Sequence, residues 1–332
     1  MRSWLTVFSR LTLRIPTHHA DAGRFRLAAL VIFEATLYLA AAIGMSYVAG
    51  FQTIDHTLDR VDWPWFLVCL VMIPPAFVGY YLAYRPVFAA DDCMLDVDRK
   101  SRLAVVAAGF GGFLDHGGGT LDRIALQAAG ASKRDADVRV TMLAGLEHGV
   151  LAVPCLIAAA VLLGVGIHTP NTSFTLPWLI GPLVGGAIGY WAIRRYRGKV
   201  RGKLSIAVDA GQLLLTMVRR PRTHALPLGG MLVFWLADMV VLWSAMAAFG
   251  FKMNIAATVV AFGTAMIVTR RTGPLGGVGV MDLALPPTLW VCGAHWGPAV
   301  LGVFAYRFFT LWLPLPFALT TLPRLRRLIE SA

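Results

Sequence analysis

Two glycine-rich segments carry the clearest chemical pattern in this sequence. One reads G-F-G-G-F-L-D-H-G-G-G-T-L-D-R-I-A-L-Q from Gly109 to Gln127. The other reads T-R-R-T-G-P-L-G-G-V-G-V-M-D-L-A-L from Thr269 to Leu285. Each places a cluster (Gly117, Gly118 and Gly119; Gly276, Gly277 and Gly279) before a helix-like apolar stretch, with an acid near its start (Asp122; Asp282). Glycine tolerates positive φ and lets another group approach the backbone closely. A loop feeding a helix N-terminus leaves backbone N–H groups free at the positive end of the dipole, which suits phosphate or carboxylate. Taken singly, such a cluster reads as close helix packing. Its recurrence, flanked by Arg123 in one case and by Arg270 and Arg271 in the other, tips the reading toward an anion site.

Further ionisable residues fall inside apolar runs: Glu34, the Glu147–His148 pair, Asp238 and Arg307. Such residues are costly in a bilayer and mark functional candidates. Two readings stay open. Arg307 forms a structural pair with Asp238 or Asp282, or Arg307 and Arg123 face one cavity and grip a lipid phosphate in the bidentate fashion guanidinium allows, with Asp282 holding Arg307 while the site is empty. Glu147, His148 and Asp238 are coupling or structural polar groups on the same logic, since histidine can relay protons. His116, His148 and His295 lack metal-ligand spacing, and no nucleophile–base motif is present. The expectation is no catalytic residue, no metal and no cofactor. The cysteines (Cys69, Cys93, Cys155, Cys292) show no C-x-x-C pairing and read as free thiols, three of them in apolar runs.

What must position these groups is a membrane bundle. Hydrophobic residues make up 57% of the 332 and charged residues only 14%, against about 25% charged in soluble domains. A span needs about 20 mostly apolar residues. Candidates are Leu27–Ala49, Trp63–Ala83, Val140–Leu163, Leu176–Ile193, Leu226–Phe249, Ile255–Thr269 and Pro298–Leu322, with Leu103–Ala131 and Thr272–Trp296 apolar but broken. The net charge of +12 is not a nucleic-acid patch, because 26 of the 30 basic residues fall on segments that alternation puts on one face. By the positive-inside rule both termini, residues 84–102 and the basic loop 194–222 are cytoplasmic. On that count the segment 103–131 enters and leaves on the cytoplasmic side, whereas 272–296 crosses. Residues 1–26 interleave arginines with Trp4, Leu5, Phe8 and Leu11, as an interfacial segment does. They are too long and basic for a cleavable signal. Residues 324–332 read as a short cytoplasmic tail, and no soluble catalytic domain is expected.

The run P-L-G-G-V-G-V-M-D, followed by A-Y-R-F-F-T-L-W-L-P-L from Ala305 to Leu315, resembles the C-terminal signature of the lysylphosphatidylglycerol synthase transmembrane (flippase-like, UPF0104-type) family. The first segment, with Gly119, Thr120, Arg123 and then Glu147–His148, is similar to that family's earlier pattern in degraded form: Thr120 stands for its glutamate, His148 for its arginine, and Asp282 is a shorter acid. The resemblance covers about residues 25–328.

The resemblance implies an all-α polytopic domain over 27–323, with about eight spans, one re-entrant hairpin and weak inverted-repeat character. It implies a bacterial inner (plasma) membrane protein that moves or presents an anionic lipid: a phospholipid, a polyprenyl-phosphate-linked lipid or a hopanoid-type lipid. The partners expected are membrane lipid and envelope-lipid biosynthesis proteins. The alternative is an integral-membrane transferase or accessory subunit of envelope-lipid synthesis, which would turn over substrate in detergent without a second membrane face.

Overall fold

A computed structural model describes residues 20–90, 93–94, 99–111, 120–165, 173–269, 279–321, 323–324 and 327. These residues are almost entirely helical. In chain order the elements are α1 (Ala20–Ala49), α2 (Phe51–Leu58), α3 (Pro64–Ala83), α4 (Arg85–Phe88), β1 (Ala89–Ala90), β2 (Cys93–Met94), α5 (Arg99–Gly111), α6 (Thr120–Ala128), α7 (Lys133–Gly164), α8 (Thr175–Tyr196), α9 (Lys203–Arg219), α10 (Ala225–Ala248), α11 (Ile255–Thr269), α12 (Val280–Val291), α13 (Trp296–Arg307), a π-helical turn (Phe308–Trp312) and α14 (Leu315–Thr320). The two short strands form only an antiparallel bridge, Ala89 opposite Met94 and Ala90 opposite Cys93.

Six stretches are long and apolar enough to cross a bilayer: Val31–Ala49, Pro64–Phe88, Lys133–Gly164, Thr175–Tyr196, Ala225–Ala248 and Trp296–Thr320. Two segments expected as spans are shorter. α11 has 15 residues and α12 has 12, about 22 and 18 Å of helix against a hydrocarbon core of about 30 Å. Prolines lie inside several helices, Pro74 and Pro75 in α3, Pro154 in α7 and Pro286 and Pro287 in α12. Within a packed bundle such prolines are tolerated because neighbouring groups can satisfy the freed carbonyls. The basic segment after α8 is not a loop throughout. α9 turns Val208, Ala210 and Met217 inward and is tied to the start of α7 by Arg134 Nη2 on Asp209 Oδ2 at 2.5 Å.

The core is built on α3 and α10, which run antiparallel. Cys69 Sγ donates to Val241 O, Tyr80 packs on Phe234, Phe66 meets Phe249, and Asp62 N–H donates to Ala248 O. Closest approach is at two glycines facing each other. A Cβ added at Gly79 would meet Gly230 O at 2.5 Å, and one at Gly230 would meet Gly79 O at 2.6 Å. Small residues allow this backbone contact where no water drives the helices together.

Around this pair the order of elements repeats at an offset near 160 residues. Starts at Pro64, Arg99, Thr120 and Lys133 recur at Ala225, Ile255, Val280 and Trp296. Packing partners recur too. α6 lies on α7 as α12 lies on α13, and α3 meets α5 as α10 meets α11. The α7–α8, α7–α9 and α7–α11 contacts are mirrored by α13–α1, α13–α2 and those of α5 with the π turn and α14. The correspondence is incomplete: α10 packs along α13, whereas α3 reaches α7 through the Tyr80–Glu147 hydrogen bond.

The glycine contact yields a stability test. Gly79→Ala overpacks the α3–α10 crossing and should cost about 1–3 kcal/mol, seen as a lowered thermal midpoint of the detergent-solubilised protein. Gly185 on the exposed face of α8 has no atom within 4 Å of an added Cβ. Gly185→Ala should leave the midpoint unchanged or slightly raised.

Candidate functional site

The sequence places an acid three residues after a glycine at the start of α12, and the structure shows what that spacing does. Gly279 is the N-cap with φ +79°, a backbone region that favours glycine. Its N–H donates to Asp282 Oδ2 at 2.9 Å, so the carboxylate satisfies one of the donors a helix start leaves open. The other carboxylate oxygen, Oδ1, accepts from Arg307 Nε at 3.1 Å. Of the two pairings left open for Arg307, the one with Asp282 forms. Asp238 instead accepts from the Tyr306 hydroxyl at 2.9 Å.

The ion pair is deeply buried, with Asp282 at 0% and Arg307 at 6% exposure. Nη1 of Arg307 points at Met281 Sδ, 3.7 Å away, and Nη2 has no hydrogen-bond partner among the described residues. A buried, unmatched guanidinium N–H costs energy unless something meets it. Glu34 on α1 is 1% exposed and its Oε1 is likewise without a partner; so is the indole Nε1 of Trp312. α1 and α13 run antiparallel here. Tyr38 OH donates to Phe304 O at 2.7 Å, Ala41 and Met45 pack with Val300, and Val31 and Trp312 both pack on the Leu315–Ala318 cluster. That register sets Glu34 opposite Arg307 and the turn after it, and Arg307 lies within electrostatic reach of Glu34. Arg307 ends α13 and the backbone widens into the π turn, closed by Leu313 N–H on Phe308 O at 2.8 Å. Such one-turn widenings frequently accompany functional sites.

The first half carries a different network at the corresponding place. Asp122 near the start of α6 is buried and both its oxygens accept from Tyr84 OH at 3.2 Å. Tyr80 OH donates to Glu147 Oε1 at 3.2 Å, and Trp235 Nε1 donates to Glu147 O at 2.9 Å. Buried Arg139 donates from Nη1 to Val87 O at 3.1 Å. His148 is half-buried, its Nδ1 2.8 Å from Ala144 O. Arg123 is held by Asp137, Nε to Oδ1 at 2.6 Å, with side chains 36% and 25% exposed. Each arginine is thus engaged by its own carboxylate, and no bond among the described residues joins Arg123 to Arg307. Gly117, Gly118, Gly119, Gly276 and Gly277 lie outside the described residues, so the two glycine turns are represented only by Gly279. Cys69, Cys155 and Cys292 are buried free thiols. Among the described residues no cluster of three or more His, Cys, Asp or Glu could hold a metal.

Sequence reading did not single out Tyr38, Tyr80, Tyr84, Arg139 or Trp312. The Tyr80/Tyr84 spacing of four puts both hydroxyls on one face of an apolar helix, and that was the available signal. Tyr38 and Trp312 gave none, because aromatic residues inside spans are ordinary packing.

Charge removal at the pair should show its coupling. Asp282→Asn leaves the guanidinium uncompensated and should cost about 3–5 kcal/mol of stability. Adding Arg307→Met should recover most of that loss, read by thermal denaturation of both variants in detergent.

No protein-family model, no curated protein and no solved structure matches this chain.

Proposed function

We propose that the chain is an integral-membrane lipid carrier or translocator that receives the anionic headgroup of a lipid at Arg307 while the tail stays in the bilayer. The observation that carries this reading is the buried Arg307 Nη2 without a partner, on a guanidinium that Asp282 orients through Nε. A lipid phosphate leaving the interface loses hydration, and converging donors with a compensating positive charge offset that loss. Asp282 keeps Arg307 in place when the site is empty. The Gly276–Gly279 turn adds backbone donors in this reading, and Arg123 with Gly117–Gly119 forms the counterpart in the first half.

The reading includes a topology and a family. Eight spans form when α11 and α12 count as short crossings, and α5 with α6 makes a re-entrant hairpin. The antiparallel α3–α10 pair and the mirrored packing support an inverted repeat across the bilayer. The chain is on this view a relative of the lysylphosphatidylglycerol synthase transmembrane family, in a bacterial inner membrane with both termini cytoplasmic.

Two measurements test it. Isothermal titration calorimetry with dioctanoyl phosphatidylglycerol should give saturable binding that Arg307→Ala weakens at least about tenfold per mole of folded protein, the loss of roughly one charge-assisted contact. Asp282→Asn should weaken binding less. Binding unchanged in Arg307→Ala removes the site. For topology, single cysteines at the exposed positions Arg201 and Asp59 should label from opposite faces of sealed vesicles, Arg201→Cys from the cytoplasmic one.

A further inference from the structure

We infer that Glu34 is the proton site of this lipid carrier, and that each anionic headgroup arriving at Arg307 brings one proton onto the Glu34 carboxyl. The inference rests on the proposed anion site and adds what that site must do with a second, uninvited carboxylate. Three buried polar atoms with no hydrogen-bond partner among the described residues, Arg307 Nη2, Glu34 Oε1 and Trp312 Nε1, come from α13, α1 and the π turn. The α1–α13 register holds Glu34 across from Arg307, between Val31, which packs with Trp312 on the Leu315–Ala318 cluster, and Tyr38, whose ring meets both Phe304 and Trp312. The register thus brings two donors and one acceptor to the same end of the α1–α13 seam.

Charge counting decides what happens there. Asp282 and Arg307 cancel. A phosphodiester at Nη2 then stands near an ionised Glu34, two negative charges where Arg307 is the one cation acting on Glu34 among the described residues. Like charges brought together in low dielectric drive one of them to take a proton. The lipid phosphodiester is the stronger acid, so the proton goes to Glu34. Protonation also supplies what the ligand lacks, since the carboxyl becomes an O–H donor to a phosphate oxygen, beside the Trp312 N–H. The groups facing Glu34 are few. α13 contributes Arg307, α12 contributes Asp282, and α1 itself contributes Tyr38, whose hydroxyl is committed to Phe304 O. The π turn and α14 carry no titratable residue. On α2, Asp55 and His56 follow the far end of α1 at Ala49, four turns along from Glu34.

The linkage has a definite sign. At low pH the carboxyl is already protonated before the lipid arrives, and affinity is flat. Once the free protein has lost that proton, affinity falls about tenfold per pH unit. The test is calorimetry of the full chain in detergent with dioctanoyl phosphatidylglycerol, whose phosphodiester keeps its single charge over the range used, in two buffers of different ionisation enthalpy. The wild type should take up one proton per lipid bound on the falling limb, and Glu34→Gln should bind with no proton uptake and no pH dependence. Wild-type binding without proton uptake overturns the inference and leaves the Arg307 site standing, a result that does not depend on any variant folding. Uptake that persists in Glu34→Gln removes Glu34 from the role. Absence of phosphodiester binding at every pH overturns the anion site itself.

Discussion

Asp282 joins two parts of the chain through one carboxylate. One oxygen closes the start of α12 on Gly279 N–H and the other holds Arg307 at the end of α13. Neither residue is tolerable alone at that depth: a lone buried carboxylate or guanidinium loses several kcal/mol of hydration that nothing returns. The pair therefore ties the α12 turn to the last long helix, and the π turn beyond Arg307 begins where that tie is made. Because Nε is the atom engaged, the guanidinium fork is oriented with Nη2 turned elsewhere, and this is the geometric root of the proposed site.

The repeat makes the asymmetry of the two halves informative. Asp282 follows Asp122, and Arg307 follows Glu147, by the same 160 residues. The second half thus pairs an acid with an arginine where the first half has two acids. Tyr80 and Tyr84 accommodate the acids by donating hydroxyls to them. A tyrosine donor satisfies a buried carboxyl without adding a charge. One scaffold holds an arginine–aspartate pair on one side and an acidic, hydroxyl-lined network on the other, so repeated element order need not imply repeated chemistry.

The α3–α10 crossing explains why the halves can face each other so closely. Backbone carbonyls at Gly79 and Gly230 each occupy the space a Cβ on the other would need. Apolar side chains alone give helices in lipid little reason to associate, whereas close backbone packing does. The tight centre leaves polar networks to either side of it, one linking α12 and α13 near α1 and one linking α3, α6 and α7.

The membrane class, the long helices and the acid–glycine pattern were legible in the residues. Hydropathy and basic-residue placement are local properties that survive without a partner. Asp282 three residues after Gly279 was likewise a local signal, since capping depends on neighbours in sequence. The partner of Arg307 was legible only as an expectation: Asp282 was the acid expected to hold it, with Asp238 the other candidate, and helix rotation and register place one carboxylate at Nε and the other at Tyr306. Arg123 read as a ligand by its glycine neighbourhood, but the start of α7 brings Asp137 against it. Glu34 was visible as an ionisable residue in a span and nothing more, because its meaning comes from a helix more than 260 residues away. Sequence determined what kinds of groups the bilayer would have to accommodate. Only the packed helices decided which charges meet and which are left with an open valence, because a polar atom in an apolar interior is defined by what lies within 3 Å of it.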